Sequence, residues 1–131
     1  MKSLRIAKGK STDRGNRVMD CLFCKFVSGE IETEKVFENE YVLGFKDIYP
    51  QAKEHYLFVS KTHTGNIVEM TDSNAEDVAR VFQAIAEFVR GNGLLEKGFR
   101  VVTNTGSDGG QTIFHTHFHV LGGGPLKGFG A

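Results

Sequence analysis

Apolar residues recur along this chain with two different periods. Val78, Val81, Phe82, Ile85, Phe88 and Val89 fall at helical spacing after Ser73 and Glu76, which have the form of a capping box, and Gly91-Asn92-Gly93 stops the pattern. A shorter helix is predicted over Cys21-Leu22-Phe23 and Lys25-Phe26-Val27, capped by Asp20 and closed by Ser28-Gly29. Runs rich in β-branched and aromatic residues predict strands at Glu34–Phe37, Tyr41–Asp47, His55–Ser60 and Phe99–Asn104, with turns at Glu38-Asn39-Glu40 and Tyr49-Pro50-Gln51-Ala52. A fifth strand is predicted to follow Thr112 and run through the histidine row to Leu121. Strands interspersed with two helices and joined mostly by short turns predict an α+β domain on an antiparallel sheet.

The fifth strand carries the chemistry. Side chains alternate along a strand, so His115, His117 and His119 share one face at intervals of about 6.5–7 Å, while Phe114, Thr116, Phe118 and Val120 face the other way. Three of the five histidines are in this one row. Imidazole is costly to bury unless both ring nitrogens are satisfied, so packing does not account for such a row. Two readings follow from the residues: a metal held by a strand H-x-H, or a histidine that is itself a nucleophile. The glycine-rich stretch Asn104-Thr105-Gly106-Ser107-Asp108-Gly109-Gly110-Gln111-Thr112 directly before it can bring bare backbone N–H groups near an anionic oxygen, which favours the nucleophile and a phosphate substrate. Cys21-x-x-Cys24 on its own fits zinc, redox chemistry or packing. Thioredoxin-type use needs a βαβ setting that this segment lacks, and His63 and His115 are available to complete a Cys2His2 set.

At 131 residues, with 40% hydrophobic content, the chain has the size of a single globular domain. Its formal charge of zero hides an asymmetry. Residues 1–17 hold six basic residues against one acidic one, a net of +5 that leaves −5 for the remainder. The basic residues therefore form a tail over 1–18, ahead of a domain over 19–131, and not a nucleic-acid-binding face. No apolar run approaches the roughly 18–20 residues of a membrane span, and the start lacks the apolar core of a secretory signal, so a cytoplasmic protein is expected.

Gly110-Gln111-Thr112-Ile113-Phe114-His115-Thr116-His117-Phe118-His119-Val120-Leu121-Gly122-Gly123 resembles the signature of the histidine triad (HIT) family, specifically its Hint branch of purine nucleoside phosphoramidases. The similarity extends upstream through Cys21-Leu22-Phe23-Cys24-Lys25, Phe45-Lys46-Asp47-Ile48-Tyr49-Pro50-Gln51-Ala52, His55 and Lys61-Thr62-His63. It implies a HIT-like fold with a five-stranded antiparallel sheet, paired into a homodimer. It also implies hydrolysis of purine nucleoside 5′-phosphoramidates or aminoacyl adenylates to AMP, with His117 as nucleophile, His119 on the phosphoryl oxygens and His55 beside them. Asp47 matches the family's ribose-binding acid, and Ile48 joins it among the substrate contacts. Asn104, Gly110, Gln111 and Thr112 match positions on the phosphate or leaving-group side. Zinc-binding members use the positions of Cys21, Cys24, His63 and His115, which implies a closed, structural zinc site. The chain departs from the family at Ser60, where proline is usual, and at Gly124, where the Hint branch commonly has arginine; the tail from Gly124 to Ala131 is its own. The alternatives are a Fhit-like dinucleoside polyphosphate hydrolase, a metallohydrolase with His115 and His117 as catalytic ligands, and a nucleotide-binding interaction module with negligible turnover.

Overall fold

The computed structural model describes residues 20–128; the basic tail and the extreme C-terminus lie outside them. Helix α1 spans Leu22–Ser28. Its cap is Cys21, not Asp20: the Cys21 sulfur accepts the Cys24 N–H at 3.4 Å, and Gly29, at φ +85°, closes the helix by donating to Phe26 O. Strands β1 (Lys35–Glu38) and β2 (Val42–Lys46) form a hairpin. The Asn39 side chain fixes the turn by accepting from the N–H groups of Tyr41 and Val42, each at 2.8 Å. β3 runs Glu54–Ser60.

Helix α2 covers Ile67–Asn92 and begins well before the predicted Ser73 box, because Asn66 caps it by accepting from Glu69 N–H. Asn74 interrupts it with extended dihedrals and caps the restart through Glu76 N–H, the role sequence had given to Ser73. A one-turn helix, α3 (Leu94–Lys97), follows, too short to leave a periodicity in the sequence. β4 (Arg100–Val102) and β5 (His117–Gly122) complete the sheet.

The five strands are antiparallel in the order β1-β2-β3-β5-β4, the predicted α+β architecture. One correction bears on function. The predicted fifth strand begins at His117, not ahead of His115, because the group before it bonds outside the ladder: Thr116 N–H donates to Thr64 O at 2.8 Å. His115 therefore stands ahead of the strand, and Phe114 is exposed rather than packed against the core.

Each face of the sheet buries its own apolar cluster. Tyr56, Phe58, Phe118 and Val120 pack on one side with Met70, Val81, Ile85 and Val89 of α2, and Val78 and Phe88 of the predicted stripe pack against them, whereas Phe82, expected in the core, is exposed. On the other side Leu43, Phe45, Leu57 and Val59 meet Cys21 and Phe23 of the α1 segment. Burying one such side chain contributes roughly 1.5–3 kcal/mol, so both helices are firmly seated. Pairing of Leu57 with His119 and of Val59 with His117 sets the two strand histidines on the α1 face.

Candidate active site

Backbone groups decide which nitrogen of each ring carries a proton. The Nδ1 of His117 lies 2.7 Å from the carbonyl oxygen of His115. A carbonyl only accepts, so Nδ1 must be the N–H and Nε2 keeps its lone pair. His117 is 7% exposed, and Phe23 sets its ring edge-on against it at 5.2 Å between centroids. Thr103 Oγ1 donates to the His117 carbonyl at 2.8 Å and steadies the backbone beneath.

A second string begins at Gln51, whose N–H donates to His55 Nδ1 at 2.9 Å. The neutral His55 ring therefore carries its proton on Nε2, which faces His119 Nδ1 at 2.9 Å and Asp47 Oδ2 at 3.3 Å. His119 accepts through Nδ1, so its own proton sits on Nε2. The result is a pair with opposite roles: His117 offers a lone pair at Nε2, and His119 offers a donor there, with the rings 5.1 Å apart. Asp47, His55 and His119 also converge closely enough to suggest a metal. The Gln51 N–H argues against one, since a metal on His55 Nε2 would require that ring to lose its remaining proton. Burial is the leading cause that pushes all three imidazoles below their ordinary range, His119 to about 4 with the neighbouring histidines adding to the effect. All three are neutral at pH 7.

Asp47 follows the end of β2, bonded to β3 by its N–H to His55 O. Its Oδ1 accepts from Tyr49 N–H at 2.8 Å, an Asx turn that leaves Ile48 and Tyr49 strongly exposed beside the site. In the glycine loop, Gly110 N–H is spent on Ser107 O, and Gln111, buried, uses both its side-chain amide and its N–H inside the protein. Sequence had placed both among the substrate contacts, but their hydrogen-bonding groups are committed internally. Among the described residues no such bond engages the Asn104 side chain or the Thr112 N–H, which leaves both open to donate.

Cys21, Cys24, His63 and His115 come together behind His117. His115 is fully buried, and its Nε2 faces Ser60 O at 3.1 Å; that nitrogen is the N–H, and Nδ1 turns its lone pair toward the sulfurs. The Cys21 sulfur is 3.3 Å and the Cys24 sulfur 3.5 Å from His115 Nδ1, Cys24 is 3.3 Å from His63 Nδ1, and the two nitrogens are 3.1 Å apart. Tetrahedral zinc at ordinary bond lengths has edges of about 3.5 Å between S and N and about 3.3 Å between two N. The four donors match that spacing. A hydrogen bond from Cys24 is the leading cause that drives the Cys21 thiol far down; the same shared proton, bound to Cys24, pushes that thiol up. A cation would take the place of this proton. No donor set among the described residues joins His115 with His117, which removes the geometric basis for a catalytic metal on that pair.

Several supporting groups have no signature in the sequence. The Ser60 carbonyl and the Gln51 N–H are backbone groups, and backbone groups are the same whatever the residue. Phe23 read only as a helix residue, and the Thr64–Thr116 pairing, 2.7 Å between hydroxyls, joins positions 52 apart.

The family model of the HIT domain matches residues 28–126. The chain is 39% identical over 110 residues to an uncharacterized HIT-like protein of Chlamydia trachomatis, covering 82% of this chain and 96% of that one. A HIT family hydrolase from Legionella pneumophila superposes with a TM-score of 0.78 at 40% identity, covering 82% of this chain and 96% of that one. A histidine triad protein from Clostridium difficile gives 0.81 at 38%, with coverages of 90% and 99%. On that family match and these identities, the chain belongs to the HIT domain family.

Proposed function

We propose that this protein is a nucleotide hydrolase that cleaves purine nucleoside 5′-phosphoramidates or aminoacyl adenylates and releases AMP through a nucleotidyl group carried on His117. The observation that carries this reading is the bond from His117 Nδ1–H to His115 O, which leaves Nε2 as a neutral, oriented lone pair in a buried position. Nε2 attacks the α-phosphorus, a P–N bond forms, and the bond from phosphorus to the leaving group breaks, a leaving amine taking up a proton from solvent and a leaving carboxylate departing as the anion. The ring becomes cationic as it attacks, and the His115 carbonyl stabilises that charge through Nδ1–H. Water then attacks phosphorus, the P–Nε2 bond breaks, and AMP leaves with the water's oxygen. The Nε2–H of His119, the Asn104 amide and the Thr112 N–H are suited to the phosphoryl oxygens. Asp47 is suited to the ribose hydroxyls, since each of its oxygens retains a lone pair beyond its internal contact. The triad is shared with a Fhit-like dinucleoside polyphosphate hydrolase, and the departure at Gly124 from the Hint branch bears on which leaving group is preferred.

Zinc belongs to the same reading. Cys21, Cys24, His63 and His115 would hold it, and a bound ion would act as a structural clamp, fastening α1 to the backbone whose carbonyl orients His117.

Replacing His117 with Ala is expected to lower AMP release from adenosine phosphoramidate on the order of 10⁴-fold or more in kcat, while AMP still binds. Retained turnover in that variant would remove the nucleophile assignment. Faster release from diadenosine tetraphosphate than from the phosphoramidate in the wild type would select the Fhit-like reading, and no release from either would leave a binding module.

Asp47→Ala is expected to weaken AMP binding by roughly 1–3 kcal/mol and to leave binding of the 2′,3′-dideoxy analogue nearly unchanged. Equal losses for the two ligands would reduce Asp47 to its turn with Tyr49.

For the metal, elemental analysis is expected to find a single zinc per chain, and chelation to lower thermal stability before it lowers turnover by the protein still folded. Immediate loss of activity at unchanged stability would indicate a catalytic metal instead, and a metal-free protein of normal stability would leave the cysteines as packing residues.

A further inference from the structure

Gln111 joins three segments that carry separate parts of the site. Its Oε1 accepts the Gly106 N–H at 3.0 Å, and its Nε2 donates to Gly65 O at 2.7 Å and to Ile113 O at 3.1 Å. Gly106 belongs to the glycine loop, Ile113 leads into the histidine segment, and Gly65 follows His63. The Gly65 peptide is held from its other side as well, by its N–H on the Glu69 carboxylate in the first turn of α2, where Asn66 caps the helix. A hydrogen-bonded string therefore runs from α2 through Gly65 and Gln111 to Gly106. Thr116 and Thr64 lay a second tie beside it through two hydrogen bonds to Thr64 O and a hydroxyl pair. The glycine loop has little else to hold it: its remaining backbone bonds close on the loop itself, and Gly106 and Gly110 both sit at positive φ.

We propose that Gln111 is a positioning residue that sets the glycine loop at the distance from His117 needed to receive a phosphoryl group, using the anchored start of α2 as its fixed point. The proposal rests on the nucleotide reading above, and it moves Gln111 from direct substrate contact to control of the loop. An amide is the chemistry this place requires. One end must accept from an N–H and the other must donate to two carbonyls, and of the side chains of this size only glutamine does both. Glutamate satisfies Gly106 but sets a carboxylate against two carbonyl oxygens, and methionine fills the volume while leaving all three backbone groups unpaired.

The test compares two ligands that differ only in the phosphate. Affinities for AMP and for adenosine are measured by titration calorimetry on the wild-type protein, Gln111→Glu and Gln111→Met. The expected result is that both variants bind AMP roughly tenfold or more weakly while adenosine affinity stays within about twofold, because the nucleoside contacts at Asp47 and Ile48 do not depend on the string. Retained adenosine binding also shows that the variant is folded. Undiminished AMP affinity in both variants, or an equal loss for AMP and adenosine, overturns the proposal, the second outcome marking Gln111 as a general stability element. A wild-type protein with no preference for AMP over adenosine would overturn the nucleotide reading itself, which separates that failure from failure of the string.

Discussion

The hydrogen bond from His117 Nδ1 to the carbonyl of His115 is the interaction on which the rest depends. A free imidazole interconverts between two tautomers and rotates about two side-chain bonds. Here one backbone oxygen selects the tautomer and, with Phe23 at the ring's edge, fixes the orientation. The carbonyl can do this only if the His115 backbone is itself immobile, and His115 is tied on both sides of its ring: the ring is buried, one nitrogen is bound to Ser60 O, and the other faces the two cysteines and His63. The metal-competent cluster and His117 are consecutive links of one chain of contacts, although they have no donor in common.

Neighbouring imidazoles repel one another when both are protonated. This protein avoids the conflict by burying the rings, which keeps them neutral, and by giving each a different backbone partner. Gln51 N–H sets His55, His55 sets His119, and the His115 carbonyl sets His117. Two side chains of one type thus present a lone pair and a donor at equivalent nitrogens. The proposed attack and phosphoryl stabilisation use that difference.

Sequence disclosed much of this architecture because its strongest signals are periodic. The two-residue spacing of the histidines, the helical stripe from Val78 to Val89 and the turn residues around Asn39 each follow from local geometry, and the sheet and the long helix are where they point. The donors Cys21, Cys24, His63 and His115 were legible as residue types, and the structure adds that they meet. What stayed hidden depends on contacts that carry no side-chain signature. The strand starts at His117 because Thr116 finds Thr64, 52 residues away, and α2 starts at Ile67 because Asn66 caps it, ahead of any apolar stripe. Asn74 took the cap expected of Ser73, a choice between adjacent residues that both cap well. Gln111 matched a substrate position in the sequence, yet its amide turns inward to two loops that adjacency in sequence does not connect.

The central claim is that His117 Nε2 becomes covalently bonded to phosphorus, and trapping that species tests it most directly. Adenosine phosphoramidate mixed with excess protein is quenched in base, which preserves a P–N bond, and the digest is read by mass spectrometry and phosphorus NMR. The account predicts an adenylyl group on the peptide containing His117, attached at Nε2, that forms and decays within a single turnover. Nucleotide on His119, attachment at Nδ1, or AMP release with no trapped species at any time would contradict it.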